Sequence, residues 1–591
     1  ASPLLALLPL VAPFAGAQPV HVRAIQQLDT LSTGIGLNPS IANDGHRTVV
    51  SYFDNGTDHV FVSVSDGRGE SWAGPVQVDT DATNANKISQ VDACHVHGDD
   101  VYVLWKDERN GSSADDLWFR RSTDGGLSFT LPEVTLDDGY SGSGQVRTWR
   151  FATSPGGPQG DYLYALFAAD ANTSAPEELF LVYSTDGGTN WSNALLIGGD
   201  AQSGVDVDSL AICADGPVAH MIWDDDSSSI GSGNDSVYYR RIDVQAQTLS
   251  AITPLDVTDT LDAGDSQQAT TYSFGIACEG DLVAAAWLEE RTSTSNEELR
   301  VAISTDGGAS FGPDAIVGGY APGVDDVDFS DVLVTGGAVY VAYTDNRVST
   351  GTLDDVYVSV LPNAISGGTF TEVGPISGAE GGSGVRLAGA GDVVGATWTS
   401  DLSGNQYAGG AFTQDGGATW TTDIRLSADD GSVDADIAEI GFNAAYGNFV
   451  HVWLSNDIGT NNVFASGYRP QTLVANGFVA GSTTVSFSFA RFRPTGGNPN
   501  GVVFLAVSPG AGSFLLPDGR DLGLAVDALT VIGTTILPFL SSPIAVDGSG
   551  TTTSIPTNLP PGFTIHAVGM GFQTDANDAG VVTDVIPIEV P

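Results

Sequence analysis

The 591-residue chain carries 72 acidic against 21 basic side chains, a formal net charge of −51, and its lysines are Lys87 and Lys106 alone. A surface of that sign repels nucleic acid and anionic membranes, and no run beyond the first residues has the length of a membrane span, so neither is an expected partner. Seventy-four glycines, frequent Val, Thr, Ser and Asp, and no long helical periodicity indicate an all-β chain.

In chain order, residues 4–11 form an apolar run followed by Ala15-Gly16-Ala17. This has the form of a signal-peptide h-region and an A-x-A cleavage site, so residues 1–17 are expected to direct secretion, with a mature start near Gln18. Next comes a repeat. Residues 122–129 read STDGGLSF, 184–191 STDGGTNW, 304–311 STDGGASF and 413–420 TQDGGATW, and 65–72 give a looser SDGRGESW. Each copy follows a β-rich run. Asp accepts hydrogen bonds from free turn N–H groups, the glycines supply positive φ, and the closing aromatic is an apolar anchor. The pattern is therefore read as a hairpin staple.

The repeated octet resembles the Asp box, or bacterial neuraminidase repeat, of sialidase-like β-propellers. The resemblance implies that residues 18–476 form a propeller and that Asp66, Asp124, Asp186, Asp306 and Asp415 are structural, on the rim away from any active site. Asp124 follows Asp66 by 58 residues and Asp186 follows Asp124 by 62, whereas the next two steps, to Asp306 and Asp415, are 120 and 109. The long steps mean lost boxes, and the short ones fit a four-stranded blade.

A second signal repeats eight times: an aromatic ends the second strand of a unit, with an acid within four residues. The pairs are Tyr52/Asp54, Trp105/Asp107, Phe167/Asp170, Trp223/Asp225, Trp287/Glu289, Tyr343/Asp345, Trp398/Asp401 and Trp453/Asp457. These predict an eight-bladed β-propeller. The last unit lacks a fourth strand, and residues 20–29 resemble an orphan one, so the N-terminal segment is expected to close the ring. Residues 477–591, rich in Pro, Gly, Thr and Val, are expected to form a β-sandwich accessory or anchoring module.

Cys94, Cys213 and Cys278 each fall late in a first strand. Equivalent positions in different blades are expected to be too far apart for a disulfide, so all three read as small core residues. The spacing His95-x-His97 suits a metal, but its place near a turn indicates a solvated edge. Arg109, Arg291 and Arg347, in DER, EER and DNR, are expected to pair locally with carboxylates.

Chemistry is expected on the rim formed by first-strand starts and second-strand ends. First strands begin with acids: Asp92, Asp206 with Asp208, Asp326 with Asp328, and Asp434 with Asp436. In a strand, i and i+2 face one side, so each Asp-x-Asp pair presents two carboxylates together. Such pairs suit backbone capping, a hard cation such as Ca²⁺, or acid and base roles in glycoside hydrolysis. The expected metal ligands are Asp206, Asp208, Asp326, Asp328, Asp434 and Asp436. The nearest cations are Arg147, Arg150 and Arg386. The family resemblance implies an arginine clamp, a tyrosine nucleophile and an acid, for which Arg147, Arg386, Tyr272, Asp208 and Asp328 are the candidates. The family's Phe/Tyr-Arg-Ile-Pro motif is absent from the sequence, and eight units exceed the six blades of sialidases. Two functions stand at this point: a secreted protein that binds or hydrolyses extracellular glycans, and a non-catalytic surface or matrix protein.

Overall fold

The computed structural model describes residues 21–470 apart from segments between strands, among them 81–87, 138–145, 199–206, 226–235, 257–273 and 428–434; beyond residue 470 it describes the backbone of strands between Thr472 and Glu589. The first part is an eight-bladed β-propeller of antiparallel sheets. Blade 1 begins with Gly36–Asn43, blade 2 with Ile88–His97, blade 3 with Val146–Ser154 and blade 4 with Leu210–Asp215. Blades 5 to 8 begin with Phe274–Glu279, Val327–Thr335, Ser383–Ala390 and Ala435–Asn443. Each is followed by an antiparallel second strand that packs on both faces. Leu282–Glu289 and Ala338–Asp345 are buried at every position. Second strands therefore read as continuous apolar runs, and their closing Trp105, Trp223, Trp287, Trp398 and Trp453 are fully buried. The acid after the aromatic has a local reason. Trp105 Nε1 donates to Asp107 at 3.1 Å and Trp287 Nε1 to Glu289 at 3.0 Å, partners two residues on and so on the same face.

Four S/T-x-D-G-G turns have one geometry. In blade 5, Asp306 Oδ1 accepts the Ser310 N–H at 2.8 Å, and the Ser304 hydroxyl accepts the Gly308 N–H at 2.9 Å. Blades 2, 3 and 7 repeat these bonds through Asp124, Asp186 and Asp415. Gly308 has φ +74°, and an added Cβ would lie 1.8 Å from the Tyr239 hydroxyl of blade 4, so glycine is required twice over. The aromatic anchor packs on the preceding blade, not its own. Trp191 meets Phe119 at 5.0 Å between ring centroids, and Phe311 meets Tyr239 at 4.6 Å.

A second clamp recurs at the start of third strands. Val78 N donates to Val60 O and Asp79 Oδ1 accepts Val60 N–H; Leu28 N and Asp29 make the same pair of bonds with Val463 in blade 8. Gln26–Gln27 and His21–Val22 pair with Asn462–Arg469, the third strand of blade 8. Inner strands are also chained to their neighbours. Asp215 accepts the Gly280 N–H at 2.7 Å, Glu279 the Gly337 N–H at 3.2 Å and Thr335 the Gly391 N–H at 2.8 Å, each across one blade boundary.

Two expectations about inner strands are corrected here. Cys213 and Cys278 form a disulfide, with Cα atoms 6.0 Å apart. First strands of consecutive blades converge on the ring axis, so equivalent positions are closest there. Cys94 is free and buried, its Sγ 3.3 Å from Ser40 O of blade 1. The two histidines are not a solvated edge. His95 Nε2 lies 3.2 Å from Phe151 O and His97 Nε2 2.8 Å from Thr153 Oγ1, both on blade 3. Loss of solvent pushes His95 down to about 4.

Past the propeller, one sheet joins Thr472–Phe478, Thr484–Ala490 and Ile555–Asn558. A second joins Ile544–Ala545, Val502–Ser508, Thr564–Phe572, Ala579–Val582 and Ile586–Glu589.

Candidate functional site

Blade 6 gathers carboxylates on the rim opposite the S/T-x-D-G-G turns. Its first strand, Val327–Thr335, has a register shift between Val327 and Ser330. This bulge breaks the simple alternation assumed from sequence and re-aims the side chains around it. Asp326 Oδ1 turns to blade 5 and accepts the Glu297 N–H at 2.9 Å, while its own N–H donates to Asn346 Oδ1 at 3.0 Å. Asp328 is exposed and shares a hydrogen bond with Asp354, which immediately precedes the third strand Asp355–Leu361. Two carboxyl groups can share a hydrogen bond only if one keeps its proton. Burial, that bond, and the charges of Asp328, Asp326 and Asp345 push the Asp354 carboxyl up to about 8. Burial likewise raises Asp345 to about 6 against the N–H and charge of Arg347.

Arg347 is committed to its own blade. Its Nε is 3.0 Å from Asp345 and its Nη2 2.8 Å from Glu372, and its guanidinium lies 3.8 Å over the Tyr357 ring. Blade 2 has the same assembly in Asp107, Arg109, Glu133 and Trp118. The expected local pairing thus holds for Arg109 and Arg347, whereas Arg291 lies outside the described residues. The comparison also isolates what blade 6 lacks. Asp107 pairs in register with Asp116, and Asp345 with Asp355, so Asp115 and Asp354 are equivalent. In blade 2, Lys106 Nζ neutralises Asp115 at 3.3 Å. Blade 6 has Thr344 at the lysine position, and a proton shared with Asp328 takes the place of the ammonium.

The other sequence-derived candidates are distributed differently. Asp206, Asp208, Asp434 and Tyr272 lie outside the described residues, and Asp436 is described only as backbone paired with Leu454. Arg147 is exposed on the first strand of blade 3, and its carbonyl accepts from Lys106 Nζ at 3.5 Å. Arg386 is half-buried in the channel wall. Its Nε donates to Glu439 of blade 8 at 3.2 Å and its charge faces half-buried Asp331 of blade 6, so it serves carboxylates of the protein itself. Among the described residues no group of three or more His, Cys, Asp or Glu side chains is arranged to hold a metal. Asp354 was missed in the sequence. Its signal was the doublet Asp354-Asp355 at a third-strand start, which alternation of strand direction puts on the rim of Asp328.

No protein-family model matches the sequence, and no curated protein matches it. Solved structures that resemble it include a polysaccharide lyase, an ulvan lyase bound to a glucuronate–sulfated rhamnose unit. That likeness has 10% identity, covers 74% of this chain and 95% of that one, and has a TM-score of 0.39. Another is Trypanosoma rangeli sialidase in complex with sialic acid, with 10% identity, 76% and 88% coverage, and a TM-score of 0.33. A third is the β-propeller domain of the Trilobed protease from Pyrococcus furiosus, with 7% identity, 64% and 95% coverage, and a TM-score of 0.37. The likeness is one of backbone trace and carries no residue across.

Proposed function

We propose that this is an extracellular propeller that binds a neutral glycan at the blade 6 rim, without cleaving it. The carrying observation is the hydrogen-bonded pair Asp328 and Asp354, half-open to solvent beside Asp326. Sugar hydroxyls both donate and accept. A carboxyl that keeps its proton, set among other carboxyl oxygens, offers both a donor and acceptors. Carboxyls in hydrogen-bond contact are closer than the roughly 5–5.5 Å of retaining or 6.5–9.5 Å of inverting glycosidases, which favours holding over hydrolysis. The committed Arg347 and the net charge of −51 disfavour uronates and sialic acids. The disulfide Cys213–Cys278 supports an oxidising, extracellular setting. Within the same reading, residues 18–30 latch the ring through blade 8, and the C-terminal strands form an accessory β-sandwich.

A glycan array on the purified chain, run with calcium and with chelator, tests this. Binding to neutral glycans is expected, weakened at least tenfold by Asp328→Asn and by Asp354→Ala at unchanged melting temperature. Capture of anionic glycans alone, or binding indifferent to both substitutions, would contradict it.

A further inference from the structure

Blades 2 and 6 close one boundary in two ways, and the difference outlines a site. In blade 2, Lys106 sits between the aromatic and the acid that end the second strand. Its Nζ reaches Asp115 at 3.3 Å and donates to two carbonyls of blade 3, Val146 at 3.2 Å and Arg147 at 3.5 Å. The ammonium thus fills a cradle of one carboxylate and two carbonyls.

The walls of that cradle recur between blades 6 and 7. Asp354 stands for Asp115, as the register shows. The Asp115 carbonyl takes the Val146 N–H at 3.1 Å and the Asp354 carbonyl takes the Gly382 N–H at 2.6 Å, so Gly382 and Ser383 stand for Val146 and Arg147. Thr344 stands for Lys106. Its side chain faces blade 7, because Tyr340 and Ala342, on the same face of the strand, pack in one cluster with Trp398 of that blade. Val356 and Val358 belong to the same cluster, so Asp354 shares that face. Threonine ends well short of where a lysine ammonium lies. Thr344 is fully buried, and among the described residues its Oγ1 has no hydrogen-bond partner. A buried hydroxyl aimed at a carboxylate with no partner points to a bound group between them. Blade 6 also adds a second carboxylate. Asp328 lies in the bulge, where it and Phe329 together oppose Thr344.

We propose that the blade 6–blade 7 cradle binds one hard divalent cation of the calcium class, in the place that the Lys106 ammonium holds between blades 2 and 3. Asp328 and Asp354 supply carboxylate oxygens, Thr344 its hydroxyl, and Gly382 and Ser383 their carbonyls. An all-oxygen set with two carboxylates suits Ca²⁺, which takes roughly six to eight oxygens in irregular geometry, water completing the shell. The proton that Asp328 and Asp354 otherwise share passes to solvent as the ion enters. A net charge of −51 draws cations to the surface around the site. The site uses two residues of the glycan rim but rests on the blade boundary and not on glycan binding.

The test is calorimetric titration of the whole chain, stripped with chelator, with calcium chloride at pH 8 and physiological salt. One saturable site is expected above weak surface binding. Thr344→Lys restores the blade 2 arrangement and should abolish that site, because its own ammonium fills the cradle. Asp354→Asn, nearly the same shape, should weaken it at least tenfold. Melting curves in chelator show that each variant is folded, and Asp354→Asn decides alone should Thr344→Lys fail to fold. Calcium should raise the melting temperature of the parent and not that of either variant. No saturable site, or a site and a calcium-dependent melting shift that persist in the folded variants, would overturn the proposal. No sugar is present, so that failure would leave the glycan reading standing, and failure on the glycan array would leave this site standing.

Discussion

His451 shows most sharply how single residues set the response to pH. It lies fully buried on the second strand of blade 8, stacked on Tyr468 at 5.1 Å, and among the described residues neither ring nitrogen has a hydrogen-bond partner. Burial pushes it down to about 3. Its folded value is thus below its unfolded one, near 6.5. The folded state costs nothing extra above pH 6.5 and loses stability as pH falls from there toward 3, by at most about 1.4 kcal/mol per pH unit. His220, lowered to about 4 mainly by burial and then by the Arg241 charge, acts in the same sense. Asp354 acts oppositely. Its folded value is raised, so its contribution is full at low pH and is lost as pH rises through about 8. Chemical denaturation of His451→Phe and the parent at pH 7 and pH 5 should show the variant gaining about 2 kcal/mol relative to the parent on acidification. A pH-independent difference would mean the ring is solvated.

The strands and turns were legible in the sequence, and their partners across blade boundaries were not. The S/T-x-D-G-G octets gave the hairpin geometry, since Asp-to-N–H bonds and positive-φ glycines are local. They could not show that Trp191 crosses to Phe119, because that contact depends on how consecutive sheets pack. The same gap hid the disulfide. Cys213 and Cys278 are 65 residues apart in sequence, and only the convergence of inner strands brings their Cα atoms to 6.0 Å. Asp328 was legible as a rim acid, but its partner was not, because the bulge after Val327 redirects the pair. Two element-scale measurements follow. Closing a loop of that length is worth about 4 kcal/mol, so the double substitution Cys213→Ser and Cys278→Ser should lower stability by about that much in denaturant titration. A loss under 1 kcal/mol would mean that the hydrogen bonds and the Phe311–Tyr239 packing already hold blades 4 and 5 without the bridge. Trp191 is only half-buried, so Trp191→Ala should cost about 2 kcal/mol, less than a core tryptophan, and leave glycan binding intact.

At the scale of the whole molecule, the ring juxtaposes chain ends that are far apart in sequence. Tyr52 of blade 1 donates to Leu28 O at 3.2 Å, and Asp29, itself buried, accepts the Val463 N–H at 3.0 Å, so one short segment touches the first and last blades. Deleting residues 18–30 should expose the third strand of blade 8 and lower the melting temperature of the entire propeller in one transition. An unchanged melting curve would show that the ring stands without its latch. The acidic surface belongs to the same scale, because a net charge of −51 repels anionic ligands from every part of the ring. The most direct test of the glycan reading uses the proton shared by Asp328 and Asp354. Calorimetric titration with the neutral oligosaccharide that binds best on the array should be made at pH 7 and pH 9. If the Asp354 proton is donated to the sugar, affinity should fall about tenfold between the two in the parent, as deprotonation near pH 8 requires. It should not change in Asp354→Asn, whose amide donates at both. A parent affinity independent of pH, or one that changes equally in Asp354→Asn, would contradict a glycan site built on that pair.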